Sequence, residues 1–272
     1  MRAALVTEYR KLVTTRLWWI LLLAMVVYMA FLSGVLGWGI SQAGGLSGSD
    51  VGGGTGTVDT APDAVVRAVY TIAVTFGYVF PLIVGALAVA AEFRHQTITP
   101  TLLAEPRRTV LVGAKVISAA ALGLVYGIVG TLAAVGAGAA VLTLLDKPTF
   151  LDSASTWRTI ALSALALALW AVVGVGLGSV LTNQVAVIVV VLAFTQFVEP
   201  VLRFVLSLTS WGHGVAAYLP GAAGEAVSGG SFYSESGVGD LLEWWQGALV
   251  LLAYGLGLAA IGRVTTFRRD IT

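Results

Sequence analysis

The sequence predicts an all-α polytopic membrane protein, and three observations carry that prediction. Of the 272 residues, 58% are hydrophobic and only 11% are charged, whereas soluble domains carry about a quarter charged residues. The apolar residues gather into several uncharged runs, each near the ~20 residues a helix needs to cross a bilayer. The strands of a membrane barrel would alternate polar and apolar residues, and no stretch of this chain alternates in that way.

The elements follow in chain order. Residues 2–16 place Leu5, Tyr9, Leu12 and Val13 on one helical face and Glu8, Arg10, Lys11 and Thr14 on the other. That predicts an amphipathic helix lying at the membrane interface. Span one, about 17–40, is uncharged, with Trp18, Trp19 and Trp38 at its ends, where tryptophan prefers to sit. It is about twice as long as a signal-peptide core and lacks a small-residue cleavage site, so it is expected to persist in the mature protein. Residues 41–62 are rich in Gly and Ser and contain Asp50 and Asp59, which reads as a flexible loop.

Span two, about 64–91, contains Pro81, which predicts a kink because proline removes a backbone hydrogen bond. A basic interruption runs from Glu92 to Lys115. Within it, Thr99 can cap and Pro100 can occupy the first turn of a short helix starting at Thr101. Span three, about 109–145, carries Gly123-xxx-Gly127 and Ala134-xxx-Gly138, the small-residue spacing of helix-packing faces in lipid. Span four, about 157–181, ends in Gly174-x-Gly176-x-Gly178, and a three-residue turn makes it antiparallel to span five, about 185–200. Fourteen helical residues rise only about 21 Å, so Glu199-Pro200 is expected in the outer part of the membrane. Val201–Leu219 reads as re-entrant half-helices, and Leu219 to Glu243 as a polar loop. Span six, about 244–262, precedes Arg263 and a basic tail. Residues 1–272 therefore read as one transmembrane domain with six spans.

Charge orients it. With both termini on one side, that side holds 11 of the 15 Lys and Arg residues but only Glu8, Glu92, Glu105 and Asp270 among the 14 acids. The positive-inside rule makes that side cytoplasmic. A seventh span would put the basic tail outside.

Composition also excludes chemistries. There is no cysteine and there are two histidines, so no thiolate or histidine metal cluster is expected. No clustered ionisable residues suggest a membrane enzyme, and no catalytic residue is predicted. The chain lacks Gly-x-x-x-x-Gly-Lys-Ser/Thr, so it holds no phosphate loop of that kind.

With the spans placed, the basic interruption resembles the first cytoplasmic loop of type-2 ATP-binding-cassette (ABC) exporter permeases. The matching residues are Glu92, Arg94, Thr97, Leu102, Leu103, Pro106, Arg107, Arg108, Gly113 and Lys115. The opening Glu8-x-Arg10-Lys11-Leu12 and the closing Phe267-Arg268-Arg269-Asp270 are similar to the ends of that family. The resemblance implies a permease that exports an amphipathic, lipid-like or drug-like substrate from a bacterial cytoplasmic membrane. It implies two ATPase subunits holding ATP-Mg, a second permease copy or close relative, and no nucleic acid. The Ala, Gly and Val content fits a high-GC bacterium, with an actinobacterium expected.

Under that resemblance a coupling helix at Thr99–Glu105 docks on the ATPase. Leu102 and Leu103 form its apolar knob, Arg94, Arg107 and Arg108 a charged rim, and Glu92, Thr97, Thr99, Thr101 and Glu105 complete the contact. The resemblance also nominates a substrate path lined by Phe76, Tyr78 and Phe80 of span two with Phe194, Gln196 and Phe197 of span five. Glu199 and Arg203, four apart on a helix, read as an outer-face ion pair. Two rivals stand beside this reading. An ion-coupled secondary transporter should carry mid-membrane acids and a broken-helix repeat, neither of which the sequence displays. A structural or sensory membrane subunit would move nothing.

Overall fold

The computed structural model describes residues 2–42, 62–209, 211–230 and 241–266, so the loop with Asp50 and Asp59 and the tail with Arg268 and Arg269 lie outside the described residues. Among the described residues every regular element is helical. Five helices are long and apolar enough to cross a membrane: Leu17–Gln42, Arg108–Leu144, Ala154–Val180, Gln184–Ser207 and Trp244–Thr265. This is an all-α architecture of the polytopic membrane type.

The chain begins with α1 (Arg2–Thr14), followed by α2 (Leu17–Gln42). The second apolar run does not form the single kinked helix the sequence predicts. It divides into α3 (Pro62–Tyr70), α4 (Ile72–Thr75) and α5 (Val79–Arg94). Thr71 and Thr75 donate their hydroxyls back to the carbonyls of Arg67 and Thr71, at 2.8 and 3.4 Å, a bond that bends helices. Pro81 is the third residue of α5, where a missing N–H costs no intrahelical bond. The interruption therefore precedes the proline.

Next come α6 (Ile98–Ala104), α7 (Arg108–Leu144) and α8 (Ala154–Val180). The 37 residues of α7 extend about 55 Å, well beyond a ~30 Å hydrocarbon core. Helix α9 (Gln184–Ala193) passes through a π-helical turn, Phe194–Val198, into α10 (Glu199–Ser207). Span five thus runs past Glu199-Pro200 rather than ending there. Pro200 has no N–H to donate and its ring crowds the preceding turn, and the backbone widens to π winding just before it.

Short helices α11 (Gly212–Ala216) and α12 (Pro220–Ser228) precede α13 (Trp244–Thr265). The first part of Val201–Leu219 continues span five to Ser207, and residues 220–228 are not the polar loop expected. All nine residues of α12 are buried. Pro220 starts it and left-handed Gly229 (φ 77°) ends it, the favoured pairing of terminators. Its run of Gly and Ala lets neighbours approach closely. A Cβ on Gly224 would sit 2.6 Å from the Trp170 indole nitrogen.

Helix α8 is the hub, packed between α5, α7 and α13. Its glycines divide the work. Added Cβ atoms would meet Leu82 O at 2.1 Å from Gly174 and Ala86 O at 2.3 Å from Gly178, both on α5. One on Gly176 would meet Gly255 O of α13 at 2.5 Å. The predicted packing face of α7 is seated as well, since a Cβ on Gly127 would lie 2.4 Å from Ala164 O of α8. In lipid such backbone-to-backbone approach supplies the dispersion contact that holds helices together.

Candidate functional site

One end of the bundle gathers α1, α6, the start of α7 and the last turn of α13. Four charged side chains, buried except for Lys11, tie it together. Lys11 Nζ lies 2.7 Å from Glu92 and 3.1 Å from Glu8. Lys115 Nζ lies 2.9 Å from each of Glu8 and Glu92 and donates to the Ala88 carbonyl at 3.0 Å. Lys115 is 1% exposed, Glu8 3% and Glu92 6%. Two acids and two bases balance, as burial of charge requires.

Burial opposes the charge on Lys11, but its hydrogen bond to Glu92 and the attraction of Glu92 and Glu8 outweigh it. The ammonium is held above its usual value of 10.5. The face of α1 turned to the protein is therefore the charged one, Glu8 with Lys11. Of the predicted apolar face, Tyr9 and Val13 are exposed and Leu5 is half-buried.

Lys11 also donates to Thr101 Oγ at 3.0 Å, so the network reaches α6. That helix spans Ile98–Ala104 with Thr97 at its N-cap position, three residues ahead of the predicted start. Pro100 falls at its third position, inside the first turn, where it is tolerated. Thr99 and Pro100 are exposed. The two leucines part company. Leu102 is half-buried against the cluster of Val89, Ile98 and Leu111, while Leu103 is 80% exposed.

Around this peg, Arg94 donates to Gln184 Oε1 at 3.3 Å. Glu105 accepts from Arg107 Nε at 3.1 Å, and that hydrogen bond holds its carboxyl below the usual carboxylate range. Arg107 and Arg108 line a shallow hollow with Arg263. A cavity of about 410 Å³ opens beside the charge network, lined in part by Lys11, Trp18, Leu87, Glu92 and His95. Glu8 and Lys11 were legible as part of an amphipathic repeat and of the opening motif, and nothing in their spacing pointed to Lys115.

Away from this end, a second charged cluster lies where α10 meets α12. Arg203 donates to both oxygens of Glu225, at 2.7 and 2.8 Å. This partner lies 22 residues on, in the segment expected to be a polar loop. Glu199 accepts the backbone N–H of Gly221 at 2.5 Å and of Ala222 at 3.3 Å, at the start of α12. A helix N-terminus is a favourable seat for a carboxylate.

A cavity of about 140 Å³ opens here, lined by Thr75, Phe76, Tyr78, Thr195, Gln196, Glu199, Pro200, Arg203, Gly221 and Glu225. Three of the six predicted path residues, Phe76, Tyr78 and Gln196, meet in it. Tyr78 stacks on Trp170 with centroids 4.4 Å apart. The other three do not line it. Phe80 turns to Tyr28 of α2, with centroids 6.0 Å apart, Phe194 is half-buried and Phe197 is 71% exposed.

No protein-family model matches the chain, and no curated protein matches it.

Proposed function

We propose that this chain is the membrane subunit of an ABC-type exporter, a permease driven by separate ATPase subunits. The observation that carries the reading is the exposure of Leu103 on a short helix whose inner side is fixed. Ile98 is 1% exposed and Leu102 packs inward, while Lys11 bonds Thr101. A push on Leu103 is thereby delivered to α1, α5 and α7 at once. An apolar centre ringed by Arg94, Arg107 and Arg108 fits the general anatomy of a protein interface.

In this reading α3–α5 together form a sixth, broken span of residues 62–94, and both termini are cytoplasmic in a bacterial plasma membrane. Two permease copies and two ATPase subunits make the working efflux complex, and the two copies enclose the export path. The test is purification from the native membrane. An ABC-type ATPase is expected to co-elute, and a folded permease that carries none refutes the reading.

A second reading has its own support. Glu199 and Glu225 are both buried, at 2% and 3% exposure, beside an interrupted span and a π turn. Buried acids at broken helices are the equipment of ion-coupled transport. Uptake or efflux driven by an ion gradient in ATP-free proteoliposomes would favour it over the exporter.

A further inference from the structure

The cavity at the Glu199 end holds more negative charge than its own cation balances. Arg203 gives Glu225 a hydrogen bond from each terminal nitrogen. Glu199 receives two backbone N–H groups, both on Oε1. Its Oε2 is buried and accepts no hydrogen bond. Among the described residues that line the cavity, two carboxylates face one guanidinium, and a buried ion left uncompensated is costly.

The space beside Glu199 indicates what completes it. A water needs only about 10–15 Å³ of such volume, so about 140 Å³ admits a group of several heavy atoms and exceeds what a bare ion or proton requires. Phe76 and Tyr78 supply aromatic walls, and Gln196 and Thr195 supply amide and hydroxyl oxygens. Rings and oxygen acceptors around a carboxylate suit an N–H-rich cation. The walls belong to the two places where a helix departs from regular winding, the break ahead of α5 and the π turn, and π turns favour functional sites.

We propose that this cavity binds the protonated amine head of an amphipathic molecule, with Glu199 as its counter-ion. The inference deepens the export reading, on which it rests for naming a cargo class, but binding itself requires no ATPase. The test uses the full chain in lipid nanodiscs, with empty nanodiscs subtracted, and radiolabelled n-octylammonium at neutral pH. Saturable one-site binding is expected, competed by other alkylammonium ions and not by octanol or octyl sulfate.

Glu199→Gln keeps an acceptor for Gly221 but removes the charge, and should weaken binding at least tenfold. If that variant fails to fold, the preference of the wild-type chain for octylammonium over octanol decides the matter. Equal affinity for octanol, unchanged binding in Glu199→Gln, or proton uptake without amine binding each overturns the proposal. A chain that binds octylammonium yet co-elutes with no ATPase keeps this inference and loses the exporter reading.

Discussion

Replacing Lys115 with Met tests whether the four-charge network holds α1, α5 and α7 together. Methionine is close to lysine in length and keeps the packing of the stem, so the perturbation is nearly pure charge. Lys115 is 1% exposed and makes ion pairs of 2.9 Å with both Glu8 and Glu92. Removing it leaves two buried carboxylates sharing Lys11 alone. Breaking a buried pair by deleting one partner costs roughly 3–5 kcal/mol. At roughly 2–4 °C per kcal/mol for chains of a couple of hundred residues, the melting temperature should fall by about 6–20 °C. Glu8→Gln added to Lys115→Met restores charge balance, with Lys11 and Glu92 still paired at 2.7 Å. The double variant should recover a coupling energy of about 1–3 kcal/mol, read by thermal unfolding in detergent. A Lys115→Met protein as stable as wild type, or strictly additive effects in the cycle, refutes the network as a stabilising unit.

Leu103→Asp should leave insertion and melting temperature unchanged, because the side chain is 80% exposed. In the exporter reading it should weaken binding of the proposed ATPase about 10- to 150-fold, the equivalent of losing the ~1.5–3 kcal/mol of a buried leucine. Leu102→Asp should instead lower thermal stability, since Leu102 packs on the inner cluster, and equal outcomes for the two would contradict the divided roles. The raised folded-state value of Lys11 means its contribution is fully present below about pH 10.5 and is lost as pH rises through the folded value. Wild type should therefore lose more stability than Lys11→Met as pH is raised above about 10.5 in thermal melts. Gly174→Leu would drive a side chain into the Leu82 carbonyl, 2.1 Å from the Cβ position, and should abolish a folded, monodisperse protein in size-exclusion chromatography.

The spans were legible because bilayer thickness imposes a minimum apolar length, and a run such as 17–40 meets it without charges. The packing glycines of α7 and α8 were legible for a related reason, because small residues at helical spacing have little other use in lipid. The broken second span was harder. Its cause lies in Thr71 and Thr75, whose hydroxyls turn back on their own helix, and an apolar-length argument weighs Pro81 more heavily than a threonine. Helix α12 was misread for a compositional reason. Gly, Ala and one Glu look like a loop until neighbours bury all nine residues.

Elements whose physics is local could be read along the chain: apolar length, the uneven distribution of charge, and the basic interruption between two long runs. Only the tertiary structure decided who meets whom. Glu8 and Lys115 are 107 residues apart in the chain and 2.9 Å apart in space, and Glu225 reaches Arg203 across 22 residues. Such pairs follow from how helices are stacked around α8, which no local pattern encodes. The same stacking turned Leu102 inward and left Leu103 outside, narrowing a two-leucine knob to a single residue.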